Sequence, residues 1–315
     1  MSRKDLEASS NGRTADFGSA YEGSNPSASA TPPCRPARTP GRGEGRLIRL
    51  CQRPGASCGA CCGLYNTRDH GREAVHRELT RRTRALARVE RTLPAFREAA
   101  RRLAEGGPPP LFPSVRVCPL LGFLDAAETR VGCLAHPLVT GGPDLRDAGA
   151  YDVTTCEAFL CPSHAWLTEA EASLAELASG DFHLYGLVVT DVPFLRAALD
   201  AVATLTGAAV ERRHLEQAAF RAALAQLFAL KEELEPGSEG LFGAFRPGRD
   251  GEPVPRRIDY QALERERSPY DALLTCVGAD PHSGNDLDLL EAEVRRRLDA
   301  CAAALAPPPA PRRPR

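Results

Sequence analysis

Lysine, methionine and tryptophan are scarce in this chain, and long apolar runs are absent from it. The 315 residues include one Met and one Trp, and only Lys4 and Lys231 among the 40 basic residues are lysines. No segment approaches the ~20 consecutive apolar residues of a membrane span, and residues 1–30 lack the apolar core of a signal peptide. The sequence therefore predicts a soluble, cytoplasmic protein without a membrane partner.

The chain also lacks an excess of either charge. Its formal net charge is −1, so it does not carry the basic excess on which bulk attraction to nucleic acid depends. Hydrophobic residues make up 43% of the sequence, which is enough for a buried core in one or two domains. We expect no nucleic acid partner, and an unidentified protein partner stays open.

Composition divides the chain into four regions. Residues 1–46, rich in Ser and then in Pro, Arg and Gly, are predicted to be a disordered leader, and residues 306–315 a disordered tail. The leader has two interpretations: an ordinary flexible segment, or spurious translation of a transfer-RNA gene, because the common T-arm sequence can encode Gly23–Ser27. Between the two ends we predict a cysteine-cluster metal-binding domain at 47–166 and a helical region at 167–305.

The predicted fold is mainly α, with an irregular, loop-rich cysteine region packed with a helical region. Residues 111–166 hold turn formers and single cysteines, 181–190 fits a strand or a helix, and 236–257 is predicted to be a loop. Elsewhere, apolar spacing and capping residues predict helices. These are a pair within 72–105 divided at Pro94, one from Thr168 to Gly180, one after Asp191, one at 208–234 and one at 286–305.

Cysteine is abundant. Eight of the eleven cysteines lie between positions 51 and 161. A reducing compartment and an odd number of thiols both argue against a set of structural disulfides. Thiolates bind soft or borderline metals, and a loop-rich region can use such a cross-link to fold. We therefore predict a metal site whose ligands are Cys58, Cys61, Cys62, Cys118, Cys133, Cys156 and Cys161.

The spacing of these thiols indicates how they divide. Cys58-x-x-Cys61 lets two sulfurs converge on one metal across a tight turn. Neighbouring side chains diverge, so Cys61 and Cys62 serve two metal atoms, or one metal and a neighbouring role. Cys118 and Cys161 each precede a proline, a feature of bacterial ferredoxins, and only one Cys-x-x-Cys is present. An iron–sulfur cluster is therefore favoured over zinc, and both stay open.

Three further side chains are candidate ligands. Cys51 lies close enough to Cys58 to supply an eighth thiolate. His136 and His164 each follow a cysteine at Cys-x-x-His spacing, which can place an imidazole on the same metal, although capping a turn is the commoner role of such a histidine. By contrast, Cys276 and Cys301 lie in apolar helical surroundings and are predicted to be buried thiols without a metal.

The cysteine motifs resemble those of a known family. Its pattern is a Cys-x-x-Cys-x-x-Cys-Cys run, a Cys-Pro-x-Leu segment, a Gly-x-Cys segment and a final cysteine pair that follows an Arg-Pro. The matching segments here, within 51–164, are Ser57–Cys62, Cys118–Leu121, Gly132–Cys133 and Cys156–Cys161. The chain thus resembles the YkgJ-like family of zinc- or iron-chelating cysteine-cluster proteins, which includes flagellin lysine methylase. Gly55 stands where the leading cysteine would fall, and residues 138–155 intervene before the final pair. The resemblance implies metal binding without a defined reaction.

Three functions follow from these observations. The first is a metal-binding cysteine-cluster protein with a non-catalytic or redox-linked role. The second, which the resemblance suggests, is an S-adenosylmethionine-dependent protein lysine N-methylase, although no Gly-x-Gly-x-x-Gly follows a candidate strand. The third is a zinc-stapled protein interaction module. Whether the protein is an enzyme therefore stays open at this point.

Overall fold

Local sequence signals set most helix boundaries in the computed structural model, which describes residues 49–233 and 243–305. The predicted leader at 1–46 and the predicted tail at 306–315 lie outside these residues. The described chain is mainly α, as predicted, with two small antiparallel hairpins.

The helices and strands are named here in chain order. The helices of the cysteine region are α1 (Arg72–Ala87), α2 (Leu93–Glu105), α3 (Pro137–Thr140), α4 (Val153–Ala158) and α5 (Ser163–Trp166). Those that follow are α6 (Glu169–Ser179), α7 (Phe182–Val189), α8 (Val192–Thr206), α9 (Ala218–Phe228), α10 (Leu230–Glu233), α11 (Asp271–Cys276) and α12 (Gly284–Leu305). The strands are β1 (Leu121–Phe123), β2 (Val131–Cys133), β3 (Phe245–Pro247) and β4 (Pro253–Pro255).

Capping residues explain where several helices begin. Thr168 and Glu171 form a complete capping box at the start of α6, and Gly180 ends that helix with a left-handed backbone. Asp181 and Asp191 accept backbone N–H groups at the starts of α7 and α8. The run at 181–190, which fits a strand or a helix by sequence, is therefore a helix. Every residue of α7 is buried, so the helix has no solvent-facing polar side.

The prediction of one continuous helix at 208–234 was wrong. The segment is divided into a 3-10 helix (Arg212–Glu216), α9 and α10. In one continuous helix Leu215 would point away from the Phe220–Leu224 stripe, because five residues correspond to about 140° of rotation. Extended backbone at Gln217 turns the chain, so that Leu215 is buried together with the stripe.

Two further departures lie in regions predicted to be irregular. β1 pairs antiparallel with β2, with Leu121 opposite Cys133 and Phe123 opposite Val131. Within the predicted 236–257 loop, the described part contains the β3–β4 hairpin. Strands of three residues carry too little alternation for their period to be read from sequence.

Two hydrophobic cores hold the described residues, which belong to one compact unit. The larger core joins side chains from the cysteine region, such as Leu64 and Tyr65, to those of α6–α9, α11 and α12. The smaller core lies between α2 and the cysteine loops and includes Phe96 and Leu120. Across residues 49–233 and 243–305, no helix is long and apolar enough to cross a membrane.

Candidate metal centre

A short loop brings Cys51 next to Cys58. The Cys58 N–H donates to the Cys51 carbonyl at 3.1 Å, and Gln52 and Ser57 form an isolated antiparallel bridge inside the loop. The Ser57 hydroxyl in turn accepts the N–H of Val131 in β2 at 2.9 Å. The loop is therefore fixed to the first hairpin.

A buried arginine attaches the same loop to α6. Arg53 is 5% exposed and pairs with Glu176 and Glu169, while Glu176 also accepts the Gly55 N–H at 2.7 Å. Hydrogen bonds between ionised groups are stronger than neutral ones and restrict geometry. The helical region thus positions the loop that carries Cys51 and Cys58.

Cys61 and Cys62 lie on a single 3-10 turn (Ala60–Cys62) whose neighbouring glycines are required by packing. A Cβ on Gly59 would lie 2.4 Å from Leu121 Cδ2. Gly63 has a φ of 77°, and a Cβ there would lie 2.4 Å from the Arg116 carbonyl oxygen. Only glycine avoids both clashes, so the turn can approach β1 closely.

The remaining cysteines reach this turn from three other segments. The Cys118 N–H donates to the Cys62 carbonyl at 2.9 Å, and Cys133 ends β2. Cys156 lies in α4, which Asp152 caps, and Cys161 lies between α4 and α5. Arg49 donates to the Phe159 carbonyl at 2.9 Å and so fixes the segment between Cys156 and Cys161.

Electrostatic effects define a first set of neighbouring thiols, which is Cys51, Cys58, Cys61 and Cys161. Burial raises the pKa of Cys58, and the charges of Cys161 and Cys51 raise it further. Burial also raises the pKa of Cys51, with a contribution from Cys161. The neighbouring Cys161 sulfur raises the pKa of Cys61, and the Cys61 thiol in turn lowers the pKa of Cys161.

A second set of neighbouring thiols is Cys62, Cys118, Cys133 and Cys156. Burial raises the pKa of Cys62, and the charges of Cys118, Cys133, Cys51 and Cys156 raise it further, so the two sets adjoin at Cys62. Burial raises the pKa of Cys133 to about 12, with contributions from Cys118 and Cys156. Cys58 lies in the larger core and Cys51 packs against it, Cys118 lies in the smaller core, and Cys62 packs against both.

The cysteine side chains of the two sets are not arranged in a metal-binding geometry. In the described part of the chain, no three His, Cys, Asp or Glu side chains are placed so that they could hold a metal ion. The fold therefore brings the seven predicted ligands and Cys51 into two neighbourhoods, in which no cysteine is joined to another by a disulfide. Cys276 and Cys301 lie apart from them, buried in the larger core, as predicted.

Both candidate histidines accept backbone hydrogen bonds. His136 Nδ1 accepts the Leu138 N–H at 3.2 Å and caps α3. His164 Nε2 accepts the Leu50 N–H at 2.9 Å and so links α5 to the segment before Cys51. The commoner role of such histidines, capping a turn, thus accounts for one nitrogen of each ring.

Sequence reasoning missed the arginines that hold the cysteine segments in place. Arg82, 4% exposed, donates to the Cys118 carbonyl at 3.1 Å, and Arg49 and Arg53 act on the segments described above. Nothing in an arginine-rich composition distinguishes these three from solvated arginines. For Cys51 a signal was present, because Pro54-Gly55 predicts a turn that returns the chain toward Cys51.

Comparison of the chain with family models, with curated proteins and with solved structures gave no match.

Proposed function

We propose that this protein binds metal through eight cysteines and acts as a metal-cluster protein with a non-catalytic or redox-linked role. The observation that supports it best is that the fold brings eight thiols from five chain segments into two adjoining neighbourhoods. Four thiolates are a standard ligand set for both zinc and iron–sulfur clusters.

The positions of the cysteine sulfurs fit two metal centres better than one. Cys61 and Cys62 are adjacent on a 3-10 turn, and their side chains belong to different sets. Deprotonation of the thiols and the attraction of a cation would draw each set inward from its present placement, since thiolates rather than thiols are metal ligands. Because each set supplies four sulfurs, neither needs His136 or His164 as a ligand.

Metal analysis after anaerobic purification tests the proposal. We expect either iron with inorganic sulfide and broad visible absorbance, or zinc in a colourless protein. The first result assigns iron–sulfur clusters and the second assigns zinc. Protein that contains neither metal, and takes up neither iron with sulfide nor zinc after reduction, would contradict metal binding altogether.

Single substitutions test the assignment of ligands. Cys58→Ser and Cys156→Ser each remove one sulfur from a different set, so we expect each to lower the bound metal by about half, because one four-thiolate site remains. Cys301→Ser is the matched control, since that thiol is fully buried in the larger core, away from both sets. Full metal content in both Cys58→Ser and Cys156→Ser would exclude these sets as ligands.

A further inference from the structure

The helical pair α1–α2 carries an excess of positive charge. Residues 72–105 include ten arginines and five glutamates, with no lysine or aspartate, although the whole chain has a formal net charge of −1. Carboxylates pair with six of these arginines, which are Arg72, Arg77, Arg81, Arg82, Arg101 and Arg102. The excess therefore resides in the remaining four arginines.

The remaining four arginines follow one another along the chain, around the turn that joins α1 to α2. They are Arg84, Arg88, Arg91 and Arg97, here called the arginine corner. All four are exposed, and within residues 49–233 and 243–305 none of them forms an ion pair. Their charges are therefore available to a binding partner.

Helix geometry places two members of the arginine corner side by side. Arg84 and Arg88 are four residues apart at the end of α1, so their Cβ atoms lie about 5–6 Å apart on one face of the helix. Leu86 lies on the opposite face and is 1% exposed in the smaller core. Arg84 and Arg88 are therefore on the side of α1 that faces away from this core.

The other two members lie nearby because α2 packs against α1. The turn at 88–92 is short, and the Arg81 side chain donates to the Leu103 carbonyl at 3.0 Å, so the end of α1 lies next to the start of α2. The Arg91 guanidinium lies 5.4 Å from the centre of the Phe96 ring, a cation–π contact at the start of α2. Arg97 is the next residue and is exposed.

The arginine corner also lies close to the second set of cysteines. Arg82 in α1 donates to the Cys118 carbonyl at 3.1 Å, and Phe96 of α2 lies in the smaller core together with Cys118. A helix with its side chains is about 10–12 Å across. A partner bound at the arginine corner is therefore separated from the smaller core by the thickness of one helix.

We propose that the arginine corner is a docking surface for a carboxylate-rich segment of a partner protein. Guanidinium groups bind carboxylates through paired hydrogen bonds. Carboxylates one helical turn apart on the partner match the spacing of Arg84 and Arg88. The proposal goes beyond metal binding and does not depend on it.

Two features favour an acidic protein over nucleic acid, whose phosphates also bind arginine. Glu90 lies between Arg88 and Arg91 in sequence, and it is exposed and forms no ion pair within the described residues. Its carboxylate repels a polymer that is negative along its whole length, whereas a protein segment can place a basic side chain opposite it. The formal net charge of −1 also gives the chain no long-range attraction for a polyanion.

Fluorescence anisotropy of the full-length protein, titrated against a labelled peptide of alternating Glu and Ser, tests the proposal. At low ionic strength we expect the wild type to bind the peptide. Arg84→Gln combined with Arg88→Gln should weaken binding roughly three- to tenfold, as expected for the loss of two exposed ion pairs. Arg88→Gln combined with Arg97→Gln, one residue from each side of the turn, should weaken it to a similar extent. Binding should also weaken at about 0.15 M salt, where surface charges are screened.

Arg101→Gln combined with Arg102→Gln is the matched control. It removes the same net charge from the same helical pair, but Glu98 already pairs with both arginines, so we expect nearly wild-type binding. Equal weakening in this variant and in the arginine-corner variants, or no binding of the peptide by the wild type at low ionic strength, would overturn the proposal. A labelled oligonucleotide of the same charge that binds as tightly as the peptide would overturn the assignment to a protein partner. Circular dichroism of the three variants establishes that changes in binding do not reflect unfolding.

Discussion

At the scale of single residues, buried charges connect the cysteine loops to the helices. Arg53 is 5% exposed, and its partner Glu176 has a side chain that is 10% exposed. The second partner, Glu169, accepts two hydrogen bonds from the guanidinium but is 75% exposed. Glu176 is therefore the buried partner of Arg53, and it holds the Gly55 backbone at the same time.

We expect Glu176→Ala to lower the free energy of unfolding by about 3 kcal/mol, because it leaves the buried charge of Arg53 poorly compensated. Urea unfolding followed by circular dichroism measures the loss. Glu98→Ala is the control, since Glu98 forms only exposed pairs with Arg101 and Arg102 and its loss should change stability much less. Equal losses of unfolding free energy in the two variants would show that the buried Arg53–Glu176 pair contributes no more to stability than an exposed pair.

A second buried charge group makes stability depend on pH. Glu232 accepts hydrogen bonds from His183 and Arg72, and the other ring nitrogen of His183 lies 2.9 Å from the His70 carbonyl oxygen. Burial by itself raises the pKa of Glu232, but the hydrogen bonds and charges of His183 and Arg72 outweigh it, so the pKa is lower than usual. A lowered carboxyl pKa stabilises the fold above the unfolded-state pKa of about 4.3.

We therefore expect Glu232→Gln to cost about 1.5–3 kcal/mol of stability at pH 7, the usual value of hydrogen bonds to a charged group. The cost should shrink as the pH falls below about 4.3 and through the lower pKa of folded Glu232, because the wild-type carboxyl then gains a proton. Denaturant midpoints of both proteins between pH 7 and pH 3 measure the difference. A difference that stays constant over this range would contradict the role of the charge.

At the scale of secondary-structure elements, one glycine lets α7 cross the cysteine region. Gly186 lies in the middle of the fully buried α7, and a Cβ there would lie 2.1 Å from Tyr65 Oη. Tyr65 is itself fully buried and donates to the His183 carbonyl at 3.0 Å. The segment after Cys62 therefore packs directly on the backbone of α7.

Helix propensity and packing predict opposite effects of Gly186→Ala. Alanine in a helix interior gains about 1 kcal/mol from propensity, whereas a methyl group in this contact costs about 1–3 kcal/mol. We expect packing to prevail, because ring atoms of Tyr65 also lie within 3.0 Å of the added Cβ. Thermal unfolding of Gly186→Ala should show a lower midpoint. Gly142→Ala is the control, since nothing lies within 4 Å of its Cβ, and a similar loss there would contradict the argument.

The elements that sequence predicts best are those whose signals are local. Thr168 and Gly180 mark both ends of α6, and Asp191 marks the start of α8, because capping uses residues adjacent in sequence. The turn at Gln217 and the pairing of Leu121 with Cys133 depend on contacts with distant segments. The sequence carries no local signal for either. For the site, the sequence indicates the candidate ligands and separates Cys61 from Cys62, but it does not indicate which distant cysteines lie beside each of them.

At the scale of the whole molecule, the two proposed centres differ in the hydrophobic core that lies beside them. In the first set, Cys58 lies in the larger core and Cys51 packs against it, and α6–α9, α11 and α12 all contribute to that core. In the second set, Cys118 lies in the smaller core and Cys133 packs against it, and that core is built from α2, Leu86 of α1 and the cysteine loops. Cys62 contacts both cores, so the 3-10 turn at Ala60–Cys62 is a junction between them.

This difference predicts an uneven response to metal removal. Because a small core contributes less stability, the segments around Cys118, Cys133 and Cys156 should depend more on bound metal than α9 and α12 do. Hydrogen exchange measured by mass spectrometry, before and after chelation under reducing conditions, should show faster exchange at 115–160 and little change in α9 and α12. Neither α9 nor α12 carries a cysteine of either set, so their protection should depend less on bound metal. A uniform rise in exchange across the described residues would instead mean that metal binding and the whole fold form a single cooperative unit.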